Sequence, residues 1–163
     1  VALLNIAKHF GCMVIVTSRH QWKLDRAREL GAAHGILDDG SDWSKTVRAL
    51  TGKRGVDIVA DSIGKAVHSQ CIKSLVRGGV FVTCGATTGG DANTDLARMF
   101  WNQLTFMGST MGDMDEFRAV TTFLRSGEML PIVDSIQKPQ FAKKAYERLE
   151  SGEQFGKVLI DWA

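Results

Sequence analysis

The chain has 163 residues, of which 44% are hydrophobic and 23% charged, enough for one domain with a real core and far from the composition of a disordered chain. Its 20 basic and 18 acidic side chains leave a formal net charge of +2 with no basic run, so a nucleic acid is not an expected partner. The longest apolar stretches fall far short of the roughly 20 residues that span a bilayer, and VALLNIAKHFGC has neither a basic leader nor a small-residue cleavage site, so no membrane partner is expected.

In chain order, Ala2, Leu3, Ile6, Ala7 and Phe10 recur at helical spacing over 1–10, with Gly11 as the stop. Residues 12–17, CMVIVT, form an apolar run of strand length, and HQWKLDRAREL (20–30) reads as a helix ended by Gly31. HGIL (34–37) is a short strand and SDWSKTVRALTG (41–52) a helix with a Ser or Asp cap. VDIVADS (56–62) reads as a strand, KAVHSQCIKSLV (65–76) as a helix and GGVFVTCG (78–85) as a strand. The order αβαβαβαβ, with strand runs apolar on both faces, predicts an α/β fold with a doubly wound parallel sheet.

Beyond Gly90 the pattern loosens. NTDLARMFWNQ (93–103) reads as a helix, LTFMGST (104–110) as a strand and DMDEFRAVTTFLRSG (113–127) as a helix with an acidic start. Pro131 and Pro139 bracket IVDSIQK, before a helix at 141–152 and a strand at 156–162. Both prolines of the chain lie in this tail, which puts the expected domain boundary at about 128–131.

In open parallel sheets, ligands bind at the carboxyl ends of the strands. Four such ends carry small, polar or basic residues: Thr17-Ser18-Arg19, Asp61-Ser62-Ile63-Gly64, Cys84-Gly85-Ala86-Thr87 and Gly108-Ser109-Thr110. Glycine there admits a ligand to the backbone, and hydroxyls bond ribose or amide groups. Cys12, Cys71 and Cys84 are far apart and odd in number, which suits core thiols in a reducing, cytoplasmic compartment better than a zinc site. His9, His20, His34 and His68 are scattered, so none is expected as a ligand or catalytic group.

The segments RARELGAAHGI, GVDIVADSIG, LVRGGVFVTCGATTG, NQLTFMGSTMGDMDEF and AYERLESGEQFGKVLI, in this order and spacing, resemble the cofactor-binding half of medium-chain dehydrogenases/reductases. The similarity is greatest to the quinone-oxidoreductase and zinc-type alcohol dehydrogenase-like branch. It implies a Rossmann-like fold over 1–130. It also implies a C-terminal segment, 131–163, that packs on a catalytic domain absent from this chain through a face including Phe141, Tyr146 and Leu149.

The resemblance also implies roles. The second strand of the fold ends beside the adenosine ribose, where an acidic residue favours NAD. Here Ser18, Arg19 and, a turn later, Lys23 offer a hydroxyl and two cations, which favour the 2′-phosphate of NADP over NAD. Asp38 and Asp39 stand where the family often has a tyrosine, and their charge opposes that preference. Ser62, Ile63 and Gly64 match the stretch flanking adenine and its ribose. Gly85, Ala86 and Thr87 match the loop near the nicotinamide ribose, and Gly108, Ser109 and Thr110 the strand end near the nicotinamide amide. Phe155 and Lys157 match a tail motif that returns toward the cofactor.

No G-x-G-x-x-G occurs in the sequence. Residues 1–10 look like the helix that follows such a turn, so the first strand and the Gly-rich loop are expected to be missing. Loss of that strand from the order 3-2-1-4-5-6 predicts a gap between the strands at 12–17 and 56–62. The expected function is the cofactor-binding portion of an oxidoreductase that moves a hydride to or from a carbonyl, alcohol, quinone or enone. No catalytic residue and no zinc ligand are identified in the chain, which by itself is expected to be inactive. A homodimer is expected through the strand at 104–110. Two other readings remain open at this point: an S-adenosylmethionine-dependent methyltransferase using Asp61, marked by an antiparallel final strand, and a non-catalytic nucleotide-binding or dimerisation module.

Overall fold

The computed structural model describes residues 1–127 and 129–163. Their helices and strands run α1 (Ala2–His9), β1 (Ile15–Ser18), α2 (Gln21–Glu29), β2 (His34–Leu37), α3 (Ser44–Leu50), β3 (Val56–Asp61), α4 (His68–Ser74), β4 (Leu75–Thr83), α5 (Leu96–Trp101), β5 (Thr105–Gly108), α6 (Met114–Arg125), β6 (Val133–Gln137), α7 (Ala142–Glu150) and β7 (Lys157–Ile160), with a 3-10 turn at Pro139–Phe141. The expected alternation holds through β4. The strand β6 carried no strand expectation. It escapes the alternation rule because its polar residues face inward: Asp134 and Ser135 are half-buried while Ile136 is exposed.

The strands form three sheets, β1-β2, β3-β4-β5 and β6-β7, in an α/β, Rossmann-like fold. The first two carry the partial orders 3-2 and 4-5-6 of the dinucleotide fold. The β3-β4, β4-β5 and β6-β7 ladders are all parallel. The antiparallel final strand that marks a methyltransferase is therefore not found among the described residues. The chain divides into two compact units, residues 1–35 with 113–163, and residues 36–112. The boundary expected at 128–131 includes Glu128, which lies outside the described residues.

In the first unit, Leu4 of α1 and Ala27 of α2 are buried together with Ala32, and Val14, Val16, Leu30 and Phe155 pack against them. The aspartate at 134 is the polar centre of the C-terminal module. It accepts from Arg148 Nε and Nη2, both at 3.0 Å, and from the Phe155 amide at 2.8 Å, tying β6 to α7 and to the turn before β7. Helix α6 opens on a reciprocal cap, in which Asp113 accepts the Glu116 amide and Glu116 accepts the Asp113 amide, both at 2.9 Å.

In the second unit, Val47 of α3, Cys71 and Ile72 of α4, Leu75 and Phe81 of β4, Trp43 and Leu104 are buried. Each buried Val, Leu, Ile or Phe there contributes about 1.5–3 kcal/mol relative to exposure. The register Asp61↔Thr83 and Thr83↔Gly108 aligns the carboxyl ends of β3, β4 and β5 in one row. One sheet face, carrying Phe81 and Phe106, meets His68 of α4, with ring centroids 5.2 and 6.1 Å away. The other face presents Ile58 and Met107, 60% and 53% exposed.

Candidate functional site

The row of strand ends in the second unit gathers most of the residues expected to meet a nicotinamide nucleotide. A cavity of about 400 Å³ is lined by Thr83, Cys84, Gly85 and Ala86 from the end of β4 and by Gly108, Ser109 and Thr110 from the end of β5. The two ends are joined by the Ser109 amide, which donates to the Thr83 carbonyl at 2.8 Å, while within the β4 end Thr83 Oγ1 donates to the Gly85 carbonyl at 3.1 Å. Ser109 and Thr110 are exposed, and their hydroxyls have no hydrogen-bond partner among the described residues. A Cβ at Gly108 would meet no atom within 4 Å, so its backbone is open to a ligand. The cavity thus combines bare backbone with free hydroxyls, a donor set that suits ribose and carboxamide groups.

Thr87 lies outside that cavity and serves as a fastener. Its amide and hydroxyl both donate to the Ser62 carbonyl, at 3.4 and 3.1 Å, while Thr88 donates its amide and hydroxyl to the Ile63 carbonyl at 2.8 and 2.7 Å. The loops after β3 and β4 are therefore laced together. Gly64 makes this possible: its φ is +86°, and a Cβ there would lie 2.7 Å from the Gly89 carbonyl oxygen. Asp61 is buried, and its two carboxylate oxygens accept the Ile63 and Gly64 amides, both at 2.9 Å. That arrangement projects Ile63, 42% exposed, as an apolar surface beside the loop.

A second cavity, of about 320 Å³, reaches under the loop after β4 and includes Asp61, His68, Phe81 and Phe106. Of the four histidines, His68 is the one that is buried. Its ring is buried against the edge-on rings of Phe81 and Phe106, and Nε2 meets Thr94 Oγ1 at 2.9 Å, which ties α4 to the segment before α5. The signal was weak in sequence because the partner lies 26 residues away.

The cysteines also depart from expectation. Only Cys71 is a core thiol; Cys12 and Cys84 are exposed. Cys84 follows the last residue of β4, so it stands at the strand end rather than inside the sheet. Burial pushes the Cys71 thiol up to about 12, with the nearby negative charge of Asp61 adding to the rise.

In the first unit, β1 ends at Ser18, whose hydroxyl accepts the His20 amide at 3.2 Å. Arg19 is exposed and has no hydrogen-bond or ion-pair partner among the described residues. Lys23 differs: its ammonium donates to the Gly152 carbonyl and sits 5.3 Å from the Trp22 ring centroid. Phe155 packs on the Leu4 cluster and on Trp22, with ring centroids 6.2 Å apart. Lys157 is the exposed first residue of β7, its amide bonded to the Ile132 carbonyl at 2.8 Å. The two aspartates after β2 turn back on their own loop, Asp38 accepting from the Gly40 amide at 3.4 Å and Asp39 from the Ser41 amide at 2.9 Å. Hydrogen bonds from Ser41 hold the Asp39 carboxyl below its ordinary range.

Among the described residues no group of three or more His, Cys, Asp or Glu is placed to hold a metal ion. Among the described residues no helix is long and apolar enough to cross a membrane.

Comparison with known proteins gives this geometry a family. The chain is 28% identical over 159 residues to a zinc-type alcohol dehydrogenase-like protein, YogA, of Leptosphaeria maculans, covering 93% of this chain and 44% of that protein. A 2-haloacrylate reductase of a Burkholderia species is 37% identical over 83 residues, 51% of this chain and 25% of the reductase. Among solved structures, an NAD-dependent alcohol dehydrogenase superposes with a TM-score of 0.90 at 34% identity, covering 99% of this chain and 47% of that one. An alcohol dehydrogenase-like protein of Sinorhizobium meliloti 1021 gives 0.89 at 32% identity, covering 98% and 46%. The chain therefore spans less than half the length of these relatives. The model of the family described as zinc-binding dehydrogenase matches residues 1–126, and the chain belongs to that family.

Proposed function

We propose that the chain is the cofactor-binding part of an NADP-dependent oxidoreductase. The observation that carries this reading is the cavity formed where β4 and β5 end side by side, with Gly85 and Ala86 facing Gly108, Ser109 and Thr110. The cofactor supplies hydride chemistry, exchanged with a carbonyl, alcohol, quinone or enone. The residues do the binding and orienting. Gly108 leaves the backbone open to the nicotinamide ring, Gly85 lets the loop after β4 pass close to Ser62 beside the ribose, and the Ser109 and Thr110 hydroxyls bond the carboxamide. Ile63, held outward by the Asp61-bonded turn, covers adenine, and Ser62 and Gly64 shape the loop beneath it.

The choice of NADP over NAD rests on the end of β1. Ser18 and the unpartnered Arg19 offer a hydroxyl and a guanidinium where a carboxylate would select NAD. One solved relative is an NAD-dependent alcohol dehydrogenase, and the preference for NADP rests on Ser18 and Arg19 of the present chain. The family description includes zinc binding, but the described residues do not fit a zinc ion, and no step is assigned to one. The only cysteine in the nicotinamide cavity is Cys84, and no acid or base there is assigned to proton transfer.

Residues 1–130 form the cofactor domain in this proposal, and residues 131–163 dock on a catalytic domain supplied by the rest of the protein. Exposed Phe141, Tyr146 and Leu149 support that role. A homodimer through β5, an edge strand with Met107 exposed, and a cytoplasmic location complete the reading. Light scattering on the purified chain checks the dimer, and a monomer at all concentrations refutes it. Calorimetric titration with NADPH, NADH and S-adenosylmethionine tests the cofactor: NADPH is expected to bind most tightly. Binding of S-adenosylmethionine with neither nicotinamide nucleotide would overturn the proposal.

A further inference from the structure

We infer that Lys23 is a positioning residue for the turn carrying Phe155 and Lys157, and that it takes no part in choosing between NADP and NAD. The inference rests on the cofactor-domain reading above and deepens it.

The contacts that carry it lie within the first unit. Helix α7 ends at Glu150 and is followed by a turn in which the Gly152 amide bonds the Leu149 carbonyl at 3.1 Å. A carbonyl just past a helix C-terminus has no intrahelical donor and lies close to the negative end of the helix dipole. The ammonium of Lys23, reaching from α2, donates to the Gly152 carbonyl and so supplies both the missing donor and a complementary charge. The same ammonium lies 5.3 Å from the centroid of the Trp22 ring, which packs on Phe155. Three residues beyond Gly152, the Phe155 amide is held by Asp134 at 2.8 Å. The segment is thus held by Lys23 at its start, by Asp134 at Phe155 and by the Ile132 carbonyl at Lys157.

An ammonium spent on that carbonyl acts equally on any ligand that meets Phe155 or Lys157. It adds nothing specific to a 2′-phosphate. Discrimination then falls to Ser18 and Arg19, and Arg19 is the cation without a partner among the described residues.

The test uses Lys23→Met, which keeps the apolar stem and removes the charge, with Lys23→Arg as the rescue. Hydrogen exchange at the amides of residues 153–157, measured without ligand, is expected to speed up about fivefold in Lys23→Met and to return toward the parent rate in Lys23→Arg. NADPH and NADH affinities are expected to fall together in Lys23→Met, their ratio staying constant. Unchanged exchange overturns the inference, as does a selective loss of NADPH binding with NADH binding intact. If the parent chain binds neither nucleotide, the cofactor-domain reading fails, and the exchange rates alone still decide whether Lys23 holds the turn.

Discussion

Replacing Asp134 by Asn should lower stability at neutral pH and nearly remove the difference in acid. Asp134 has a side chain only 8% exposed, and the Arg148 guanidinium, followed by the Phe155 amide, holds its carboxyl down to about 2 from an ordinary 3.8. At about 1.4 kcal/mol per pH unit, that depression corresponds to at most about 2.5 kcal/mol. Arg148 is 40% exposed, so water screens the pair, and about 1–1.5 kcal/mol is the expected size. The sign follows from the direction. Because the folded value lies below the unfolded one, the contribution is complete above the unfolded value and is lost as pH falls from about 4 toward 2. Urea unfolding of the parent and Asp134→Asn at pH 7 and at about pH 1.5, below the folded value, measures both ends. A difference that stays constant between the two pH values would refute the ionised pair as the source of stability.

The strand-end loops and their exposed groups give three more tests. Gly64→Ala places a Cβ 2.7 Å from the Gly89 carbonyl oxygen at a φ of +86°, so thermal or urea unfolding should show a loss of about 1–3 kcal/mol. Arg19→Gln should weaken NADPH binding about tenfold or more while leaving NADH unchanged, measured by nicotinamide fluorescence; an equal loss for both refutes the assignment of Arg19 to the 2′-phosphate. A disulfide reagent should modify exposed Cys12 and Cys84 and leave Cys71 intact in the folded chain, since burial raises the Cys71 thiol to about 12. NADPH should slow the reaction at Cys84 and not at Cys12, and equal slowing would count against the cavity between β4 and β5 as the nicotinamide site.

Periodicity and punctuation made the alternation of α1 through β4 legible. The runs at 34–37 and 56–62 have strand length, and glycines close the helices around them. Boundaries shifted where tertiary pairing overrode local pattern: β4 begins at Leu75, before the glycines at 78 and 79, because Leu75 pairs with Val56. The strand at 133–137 was invisible because its inward side is polar, and what makes that side tolerable is Arg148, fourteen residues on. The strand-end residues 85, 86, 108, 109 and 110 were identifiable from their small size and position, and register brings them into one cavity. The charge of Lys23 is visible in sequence, whereas the Gly152 carbonyl to which it donates, 129 residues away, is not. The exposure of Cys84 and the burial of His68 likewise depend on where β4 ends and α4 begins.

The most direct test of the account is an amide NMR titration of the chain with NADPH. Saturable shifts are expected at Gly85, Ala86, Gly108, Ser109 and Thr110, at Ser62, Ile63 and Gly64, and at Ser18 and Arg19, with the Arg19 shifts absent when NADH is used instead. Shifts confined to other residues, or none at any of these positions in a folded sample, would contradict it.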